Sequence, residues 1–338
     1  MKRACVFVAL LLSALPARAE TKLGVSGERF TINGAPTFLL GISYYGGAGA
    51  PDETVRRDLD DMRRDGFNWL RVWATWGGPD PDASAVGPNG SPREAAMARL
   101  RKLVESCDAR GMAVDVTLSR QAGTTRPGGI ADAAGHRRAV ETLLTALRPH
   151  RNWYLDLANE RNIGDARFVS YDELKTLRDY AKDLDPQRLI TASHSSGDDD
   201  FLAAIEKYVS VVRVDFVAQH RGRYRGSARE TEEMTRRYVR RMKDLGTVLP
   251  VHFQEPFRRG YADWQPAAED YEADLRGAVR GGAAGWCFHN GDDRRTPDKR
   301  PRRSFDLHEH RLYEQLDDVE ATVVRRLKPV VDAAAAGQ

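Results

Sequence analysis

The sequence contains few cysteines, with three among 338 residues. Cys5 lies in the apolar N-terminal segment, so only Cys107 and Cys287 remain for the rest of the chain. A small fold held together by several disulfides is therefore excluded by count. A single Cys107–Cys287 disulfide is compatible with an exported chain. We expect two buried thiols instead, because the topology derived below places the two residues on opposite sides of the domain.

Long apolar segments are also absent beyond the N-terminus. No later segment approaches the roughly 20 consecutive apolar residues that a membrane helix needs. The N-terminus itself combines basic Lys2 and Arg3, an apolar run over Ala4–Leu15 and small residues around Arg18. This pattern is typical of a secretory signal peptide. We expect cleavage after Ala19, and hence a secreted or periplasmic protein that is not attached to the membrane after cleavage.

An excess of charge of one sign is missing as well. Lys2, Arg3 and Arg18 leave with the signal peptide, so the 52 Lys and Arg residues fall to the number of Asp and Glu residues, which is 49. Binding of nucleic acid needs a net basic surface, and we therefore expect no nucleic-acid partner. The motif His-Glu-x-x-His is also absent, and we predict no metal or other cofactor.

Apolar segments of strand length alternate with amphipathic segments of helix length along residues 20–338. The predicted strands are Thr37–Tyr45, Phe67–Trp73, Met112–Leu118, Trp153–Ala158, Arg188–Ala192, Val211–Ala218, Val248–Gln254 and Ala283–Phe288. The predicted helices are Asp52–Arg64, Pro92–Arg110, His136–Leu147, Tyr171–Leu184, Asp199–Lys207, Ala228–Leu245, Pro266–Arg280 and Arg311–Val331. Apolar strands that are each followed by a helix indicate a parallel sheet covered by helices. Eight such units predict a single α/β domain, a (β/α)8 TIM barrel.

A short β-hairpin is predicted before the barrel, over Phe30–Pro36. Its Asn33-Gly34 pair is a strong signal for a two-residue turn. A doubly wound sheet is the alternative fold, and it would need a glycine-rich phosphate-binding turn after the first strand. The glycines between Gly41 and Gly49 do not match Gly-x-Gly-x-x-Gly in position or spacing, which favours the barrel.

Two of the predicted strands are followed by a glutamate. The fourth strand ends at Ala158 and continues into Asn159 and Glu160, and the seventh ends at Gln254 and continues into Glu255. An isolated Asn-Glu pair also fits an N-capping Asn and a solvated Glu at the start of a helix. The repetition of the pattern favours a functional pair, because strands four and seven face each other across the C-terminal mouth of a barrel, where its active sites lie.

Two carboxyl groups across a cleft can cleave an acetal. One protonates the departing oxygen, and the other attacks the anomeric carbon or activates water. Glu160 would have to be protonated and Glu255 ionised, which requires a cation or hydrogen-bond donors near Glu255. Arg71 on the second strand is the predicted cation, and a salt bridge at the barrel rim is its alternative role. If the pair is of the retaining kind, we expect a carboxyl separation of about 5–5.5 Å.

The order of these motifs resembles glycoside hydrolase clan A, the retaining (β/α)8 glycosidases, and most of all the cellulase-like family 5 enzymes. The resemblance rests on the hairpin, Arg71, Asn159-Glu160, Glu255 and the strand-eight aromatic Trp286. It implies that Glu160 is the general acid/base and Glu255 the nucleophile. It also implies that Asn159 donates a hydrogen bond to the sugar 2-hydroxyl.

Three positions differ from family 5. One is Arg161, which follows Glu160 where that family usually has Pro. After strand three that family usually has a His, where this chain has Ser119 and Arg120. After strand six it has His-x-Tyr, in which the Tyr supports the nucleophile. Here His220 fills the first position, whereas Tyr224 stands two residues beyond the second.

Carbohydrate clefts contain aromatic side chains because sugar rings present apolar C–H faces. Aromatic residues at or just beyond predicted strand ends are Tyr44, Tyr45, Trp73, Trp76, Tyr224, Tyr261, Trp264 and Trp286. Trp69 and Trp153 occur early in their strands and are predicted to belong to the core. His194 and His289 also end strands and are suited either to binding hydroxyls or to structural roles.

The sequence thus predicts a monomeric retaining glycoside hydrolase that cleaves O-glycosidic bonds of β-linked poly- or oligosaccharides. Its predicted substrate-binding residues are Asn159, Arg71, His220, Trp286, Tyr44, Trp76, Tyr224 and Trp264. Two alternatives remain open at this point. One is a carbohydrate-binding barrel that has lost catalysis, and the other is a barrel enzyme that uses the same carboxylates on a non-glycosidic substrate.

Overall fold

The computed structural model describes residues 20–76, 82–119, 129–164, 167–195, 197–222, 224–256, 259, 264–289 and 305–336. The predicted signal peptide, residues 1–19, lies outside the described residues, as do Arg120 and Tyr261. None of the helices in the described ranges has the length and apolar character needed to cross a membrane.

Three short antiparallel strands, β1 (Leu23–Ser26), β2 (Arg29–Ile32) and β3 (Ala35–Thr37), form a separate N-terminal sheet. The predicted hairpin is confirmed: Asn33 and Gly34 join β2 to β3 with φ values of 52° and 81°, as a two-residue hairpin turn requires. The strand β1 was not predicted. Phe30 of β2 is fully buried and packs against Phe216, which precedes a barrel strand. The small sheet therefore covers the N-terminal end of the barrel.

The predicted (β/α)8 barrel is confirmed. Its parallel strands are β4 (Leu39–Ser43), β5 (Trp69–Trp73), β6 (Ala113–Ser119), β7 (Trp153–Asn159), β8 (Ile190–Thr191), β9 (Ser193–Ser195), β10 (Val217–His220), β11 (Val251–Glu255) and β12 (Gly285–Phe288). Only Ala192 separates β8 from β9; β8 pairs with β7 and β9 pairs with β10, so together they form the fifth barrel strand. Pairing of β12 with β4 joins the last strand to the first.

The helices that surround the sheet are α1 (Asp52–Arg64), α2 (Glu94–Asp108), α3 (Ala133–Ala146), α4 (Tyr171–Leu184), α5 (Asp198–Glu206), α6 (Ser227–Asp244), α7 (Ala268–Gly281) and α8 (Asp318–Ala336). Two of them begin at residues whose side chains cap the helix. Asp132 accepts a hydrogen bond from the backbone N–H of Gly135, and Ser170 accepts one from that of Glu173.

Two predicted boundaries are wrong by six residues or more. The sixth barrel strand begins at Val217 rather than at Val211, because Lys207–Val212 continue α5 as π-helix. Tyr208 and Val212 are buried in that segment, so its apolar residues serve a helical face and not a strand. The last helix begins at Asp318 rather than at Arg311, after a short 3₁₀ segment over Leu312–Glu314.

The core has two parts, one between sheet and helices and one inside the barrel. Residues that fill the barrel interior towards its N-terminal end include Phe30, Trp69, Tyr154, Phe216 and Cys287. The predicted core positions of Trp69 and Trp153 are confirmed, since both are at most 1% exposed. Cys107 and Cys287 are both buried and free, which confirms the expected pair of thiols.

Candidate active site

The two glutamates lie at the C-terminal ends of β7 and β11. Glu255 is the last residue of β11 and is in register with His220 of the neighbouring strand β10. Glu160 directly follows β7 and has a left-handed backbone with φ of 48°. A non-glycine residue in this region is strained by about 1–2 kcal/mol, and such strain is often found at functional sites.

Neighbouring contacts hold Glu160 in this conformation. Its backbone N–H donates to Ser193 Oγ of β9 at 2.9 Å. The next residue, Arg161, is buried, and its guanidinium lies 3.7 Å from the centre of the Tyr171 ring. The turn after β7 is thus fixed on both sides of Glu160, which directs its side chain toward the barrel mouth.

His220 lies between the two carboxylates. Its Nδ1 is 3.1 Å from Glu160 Oε1 and 3.7 Å from Glu255 Oε2. One oxygen of each carboxylate and one ring nitrogen of His220 all lie within 4.8 Å of one another. The fold therefore brings together the three polar residues that follow or end the fourth, sixth and seventh barrel strands.

Glu255 has different surroundings at its two oxygens. Oε1 accepts hydrogen bonds from Arg71 Nη1 at 2.6 Å and from the Tyr45 hydroxyl at 3.0 Å. Oε2 lies 3.7 Å from His220 Nδ1 and 3.8 Å from His289 Nδ1. Two donors, one of them a cation, favour the ionised form of this carboxylate. They hold Oε1 in place and leave Oε2 facing the two imidazoles.

Arg71 is fully buried, so the salt bridges that it forms lie inside the barrel mouth rather than on its surface. Its Nε donates to Asp115 Oδ2 at 3.1 Å and to Thr117 Oγ1 at 3.0 Å. Its Nη2 donates to Asp156 Oδ2 at 3.1 Å and to Asn159 Oδ1 at 2.9 Å. Burial by itself lowers the pKa of Arg71, but the charges of Asp115 and the other acidic neighbours raise it well above its usual value.

The contact between Arg71 and Asn159 fixes the orientation of the Asn159 amide. Because Oδ1 accepts from the guanidinium, the NH₂ group of the same amide points away from Arg71 and is available as a donor. Asn159 is 2% exposed and immediately precedes Glu160. It can therefore donate a hydrogen bond close to the carboxylate of Glu160.

Asp115 is fully buried, as is Asp156. Asp115 also accepts hydrogen bonds from the Tyr154 hydroxyl at 3.0 Å and from Gln254 Nε2 at 2.8 Å. Burial raises the pKa of Asp115, and the charge of Arg71 only partly offsets this effect. One guanidinium thus serves three carboxylates, those of Asp115, Asp156 and Glu255.

Aromatic rings surround the Glu255 side of the mouth. The ring centroids of Tyr45 and Trp73 are 5.1 Å apart, and those of Trp73 and Trp76 are also 5.1 Å apart. His289 packs edge-on against Tyr45 with a centroid distance of 5.8 Å. Trp76 packs against Tyr45, whose hydroxyl contacts Glu255, and its predicted contact with substrate stays a prediction.

The predicted sugar contacts of Tyr44 and Trp286 are wrong. Both side chains are fully buried between the sheet and the helices. The Tyr44 hydroxyl donates to Asp58 of α1 at 3.0 Å, and the Trp286 indole donates to Asp274 of α7 at 2.6 Å. Because side chains alternate along a strand, Trp286 points to the helices while its neighbour Cys287 points into the barrel.

Two further predicted aromatic contacts receive no support. Trp264 is 7% exposed and packs into the core between sheet and helices. Tyr224 is 47% exposed, and its hydroxyl donates to the Glu230 carboxylate at the start of α6.

The two strand-end histidines outside the predicted set differ in role. His194 is buried, its Nδ1 lies 3.0 Å from the Tyr208 hydroxyl, and burial lowers its pKa to about 4. It is a structural histidine. His289 faces Glu255 at 3.8 Å and belongs to the site.

Comparison with known proteins gives a clear result only at the level of structure. No protein-family model and no curated protein matches the sequence. An endo-1,4-β-mannanase from Rhizomucor miehei aligns with a TM-score of 0.64 and 14% identity over 94% of this chain and 100% of the mannanase. A family 5 glycoside hydrolase from Bacteroides vulgatus has a TM-score of 0.66 and 16% identity over 92% and 73% of the two chains. An exo-β-1,4-mannosidase from an Opitutaceae bacterium has a TM-score of 0.61 and 18% identity over 89% and 61%. At these identities the likeness concerns the fold: the chain has the same barrel as these glycoside hydrolases over nearly its whole described length.

Proposed function

We propose that the protein is a retaining glycoside hydrolase acting on β-linked poly- or oligosaccharides. The observation that carries this proposal is the proximity of Glu160 and Glu255 at the barrel mouth. One oxygen of each carboxylate and one ring nitrogen of His220 all lie within 4.8 Å of one another. Retaining pairs are separated by about 5–5.5 Å, whereas inverting pairs leave about 6.5–9.5 Å for a water molecule. The short approach thus supports double displacement over inversion.

Glu255 is the proposed nucleophile because Arg71 and Tyr45 favour its ionised form. Glu160 has the imidazole of His220 as a neighbour at 3.1 Å and is the proposed acid/base. In the first step Glu160 protonates the glycosidic oxygen while Glu255 Oε2 bonds to the anomeric carbon, and the alcohol leaves. In the second step Glu160 takes a proton from water, water bonds to the same carbon, and the Glu255 carboxylate is released.

Substrate binding is supported by buried polar groups that have no hydrogen-bond partner among the residues that the structure describes. Trp73 Nε1 and His220 Nε2 are buried without a hydrogen-bond partner among the described residues. Buried polar groups are normally paired, so these two suit the hydroxyl groups of a bound sugar. The Asn159 amide and the Trp76 ring complete the proposed set with a donor and an apolar surface.

Mannans are the first substrates to test, because two of the structural neighbours are a β-1,4-mannanase and a β-1,4-mannosidase. The test measures hydrolysis of aryl β-mannosides, aryl β-glucosides, β-1,4-mannan and cellulose by the wild type, Glu160→Gln and Glu255→Gln. Glu105→Gln, on the exposed surface of α2, is the matched control. We expect turnover by the wild type and the control, and loss of at least about 1000-fold in kcat/KM in the other two.

The configuration of the first sugar product, followed by proton NMR, tests the mechanism. A β-configured product supports retention, and an α-configured product would contradict it. Binding of mannan without turnover by the wild type would favour the carbohydrate-binding alternative. We also propose that the chain is exported and monomeric.

A further inference from the structure

Tyr45 is fixed in front of Glu255 by the backbone of the first two barrel strands. It follows β4 by two residues, and its carbonyl accepts a hydrogen bond from the Trp73 N–H at 3.2 Å. The N–H of the preceding Tyr44 donates to the Arg71 carbonyl at 2.8 Å. Both bonds tie the residue to β5, so the position of its Cα is set by the barrel itself.

The ring of Tyr45 is also held on several sides. Trp73 and Trp76 pack against it with centroid distances of 5.1 and 5.5 Å, and His289 with 5.8 Å. The guanidinium carbon of Arg71 lies 5.7 Å from the ring centre. Tyr45 is only 2% exposed, and its hydroxyl therefore has a defined place, 3.0 Å from Glu255 Oε1.

The tyrosine that follows the sixth strand is not in this position. Tyr224 is 47% exposed, and its hydroxyl contacts Glu230. The strand-six residue that faces the carboxylates is His220, and it lies on the Oε2 side of Glu255. The Oε1 side is occupied by Tyr45 from the first strand and Arg71 from the second.

We propose that Tyr45 is a positioning residue for the nucleophile, an inference that rests on the proposed function. With Arg71 it holds Glu255 Oε1, so that Oε2 is the oxygen that bonds to the anomeric carbon. The phenol keeps its proton throughout and acts as a donor only.

The hydroxyl of Tyr45 should matter most in the second step. In the free carboxylate Oε1 carries negative charge and accepts a strong hydrogen bond, whereas in the glycosyl ester it is a carbonyl oxygen and accepts a weaker one. The bond therefore stabilises Glu255 as it leaves the sugar. Removing it should slow breakdown of the glycosyl–enzyme more than its formation.

The experiment compares Tyr45→Phe with the wild type on an activated aryl β-glycoside that the wild type hydrolyses. We expect kcat to fall about 10- to 100-fold and KM to fall with it, because the glycosyl–enzyme accumulates. The acidic limb of the pH profile of kcat/KM should move to higher pH, since the charged form of the nucleophile loses a donor. Phe keeps the ring contacts, and Tm measured by calorimetry verifies that the variant is folded.

Tyr44→Phe is the matched control, because it removes a buried hydroxyl from the adjacent residue, bonded to Asp58 and not to the site. We expect its pH profile and kcat to match the wild type. Kinetics of Tyr45→Phe equal to those of the wild type, or a rise in KM with an unchanged pH profile, would overturn the inference while leaving the glycosidase proposal intact. Absence of turnover by the wild type would overturn the proposed function and this inference together.

Discussion

Replacement of Arg71 by lysine tests the arrangement of charges under the site. Arg71 donates to groups on five residues: Asp115, Thr117, Asp156, Asn159 and Glu255. Lysine keeps the positive charge but has three N–H donors on one nitrogen, against five on the planar guanidinium. At least two of the five acceptors therefore lose their donor in Arg71→Lys.

The magnitude follows from the number of lost hydrogen bonds. A hydrogen bond to a charged group contributes about 1.5–3 kcal/mol, so two of them correspond to a loss of at least about 3 kcal/mol in the free energy of unfolding. For a domain of this size, that loss should lower Tm by about 4–5 °C. Activity should fall at least about 100-fold in kcat/KM, because Asn159 and Glu255 are no longer held in place.

The assay combines urea unfolding with steady-state kinetics at a temperature where all variants are folded. Arg188→Lys is the control, because Arg188 is likewise buried but bonds to the carbonyls of Trp153 and His150 at the opposite end of the barrel. It should lose stability and keep its kcat/KM. An Arg71→Lys variant would refute the role assigned to the guanidinium if its free energy of unfolding equalled that of the wild type and its kcat/KM were within twofold of it.

Three further predictions address the catalytic pair, the buried acid and export. Glu160→Ala should keep activity on an activated aryl glycoside, and azide should rescue it with a β-glycosyl azide as product. Glu255→Ala should be inactive, and any azide product that it forms should be α-configured. The opposite pattern would mean that the two glutamates have exchanged roles. Burial raises the pKa of Asp115, so this residue binds more protons in the folded protein than in the unfolded chain. The free energy of unfolding of the wild type should therefore fall relative to that of Asp115→Asn as pH rises above about 4. Urea unfolding at pH 5 and pH 8 measures this change, and an unchanged difference between the two proteins would argue against it. Export from a bacterial host should yield a mature N-terminus at Glu20, and N-terminal sequencing that begins at Met1 would contradict the signal peptide.

The barrel was predictable because its evidence is periodic and local. Eight apolar segments without polar alternation, each followed by an amphipathic helix, are compatible with few folds other than a barrel. Asn33-Gly34 specifies its hairpin turn through local backbone preferences alone. The errors occur where tertiary packing overrides a local pattern. The run that ends at Val212 has strand-like composition, yet its buried face belongs to a helical continuation of α5.

The site was less predictable, because proximity to a strand end does not determine which face of the sheet a side chain occupies. Tyr44 and Tyr45 are adjacent, and Tyr44 was the one predicted to bind substrate, but Tyr44 faces α1 and Tyr45 faces Glu255. A signal for the buried network was nevertheless present. Asp115 and Asp156 interrupt two strands that are otherwise apolar, and a carboxylate buried in a barrel requires a partner. Arg71, on the strand next to that of Asp115, is the partner that this reasoning assigns to both.

The charge balance of this network bears on how the site works. Arg71 faces three carboxylates, and two of them, Asp115 and Asp156, lie below the reacting groups and cannot reach a substrate at the mouth. Their effect is to fix the guanidinium, since each takes a different nitrogen and leaves Nη1 directed at Glu255. They also partly offset its charge, so that Glu255 is held by a cation without being neutralised completely. In the proposed mechanism Glu255 must remain ionised and yet be able to give up its charge to the sugar. The two buried aspartates thus set how strongly Arg71 holds Glu255, and they do so from positions that no substrate touches.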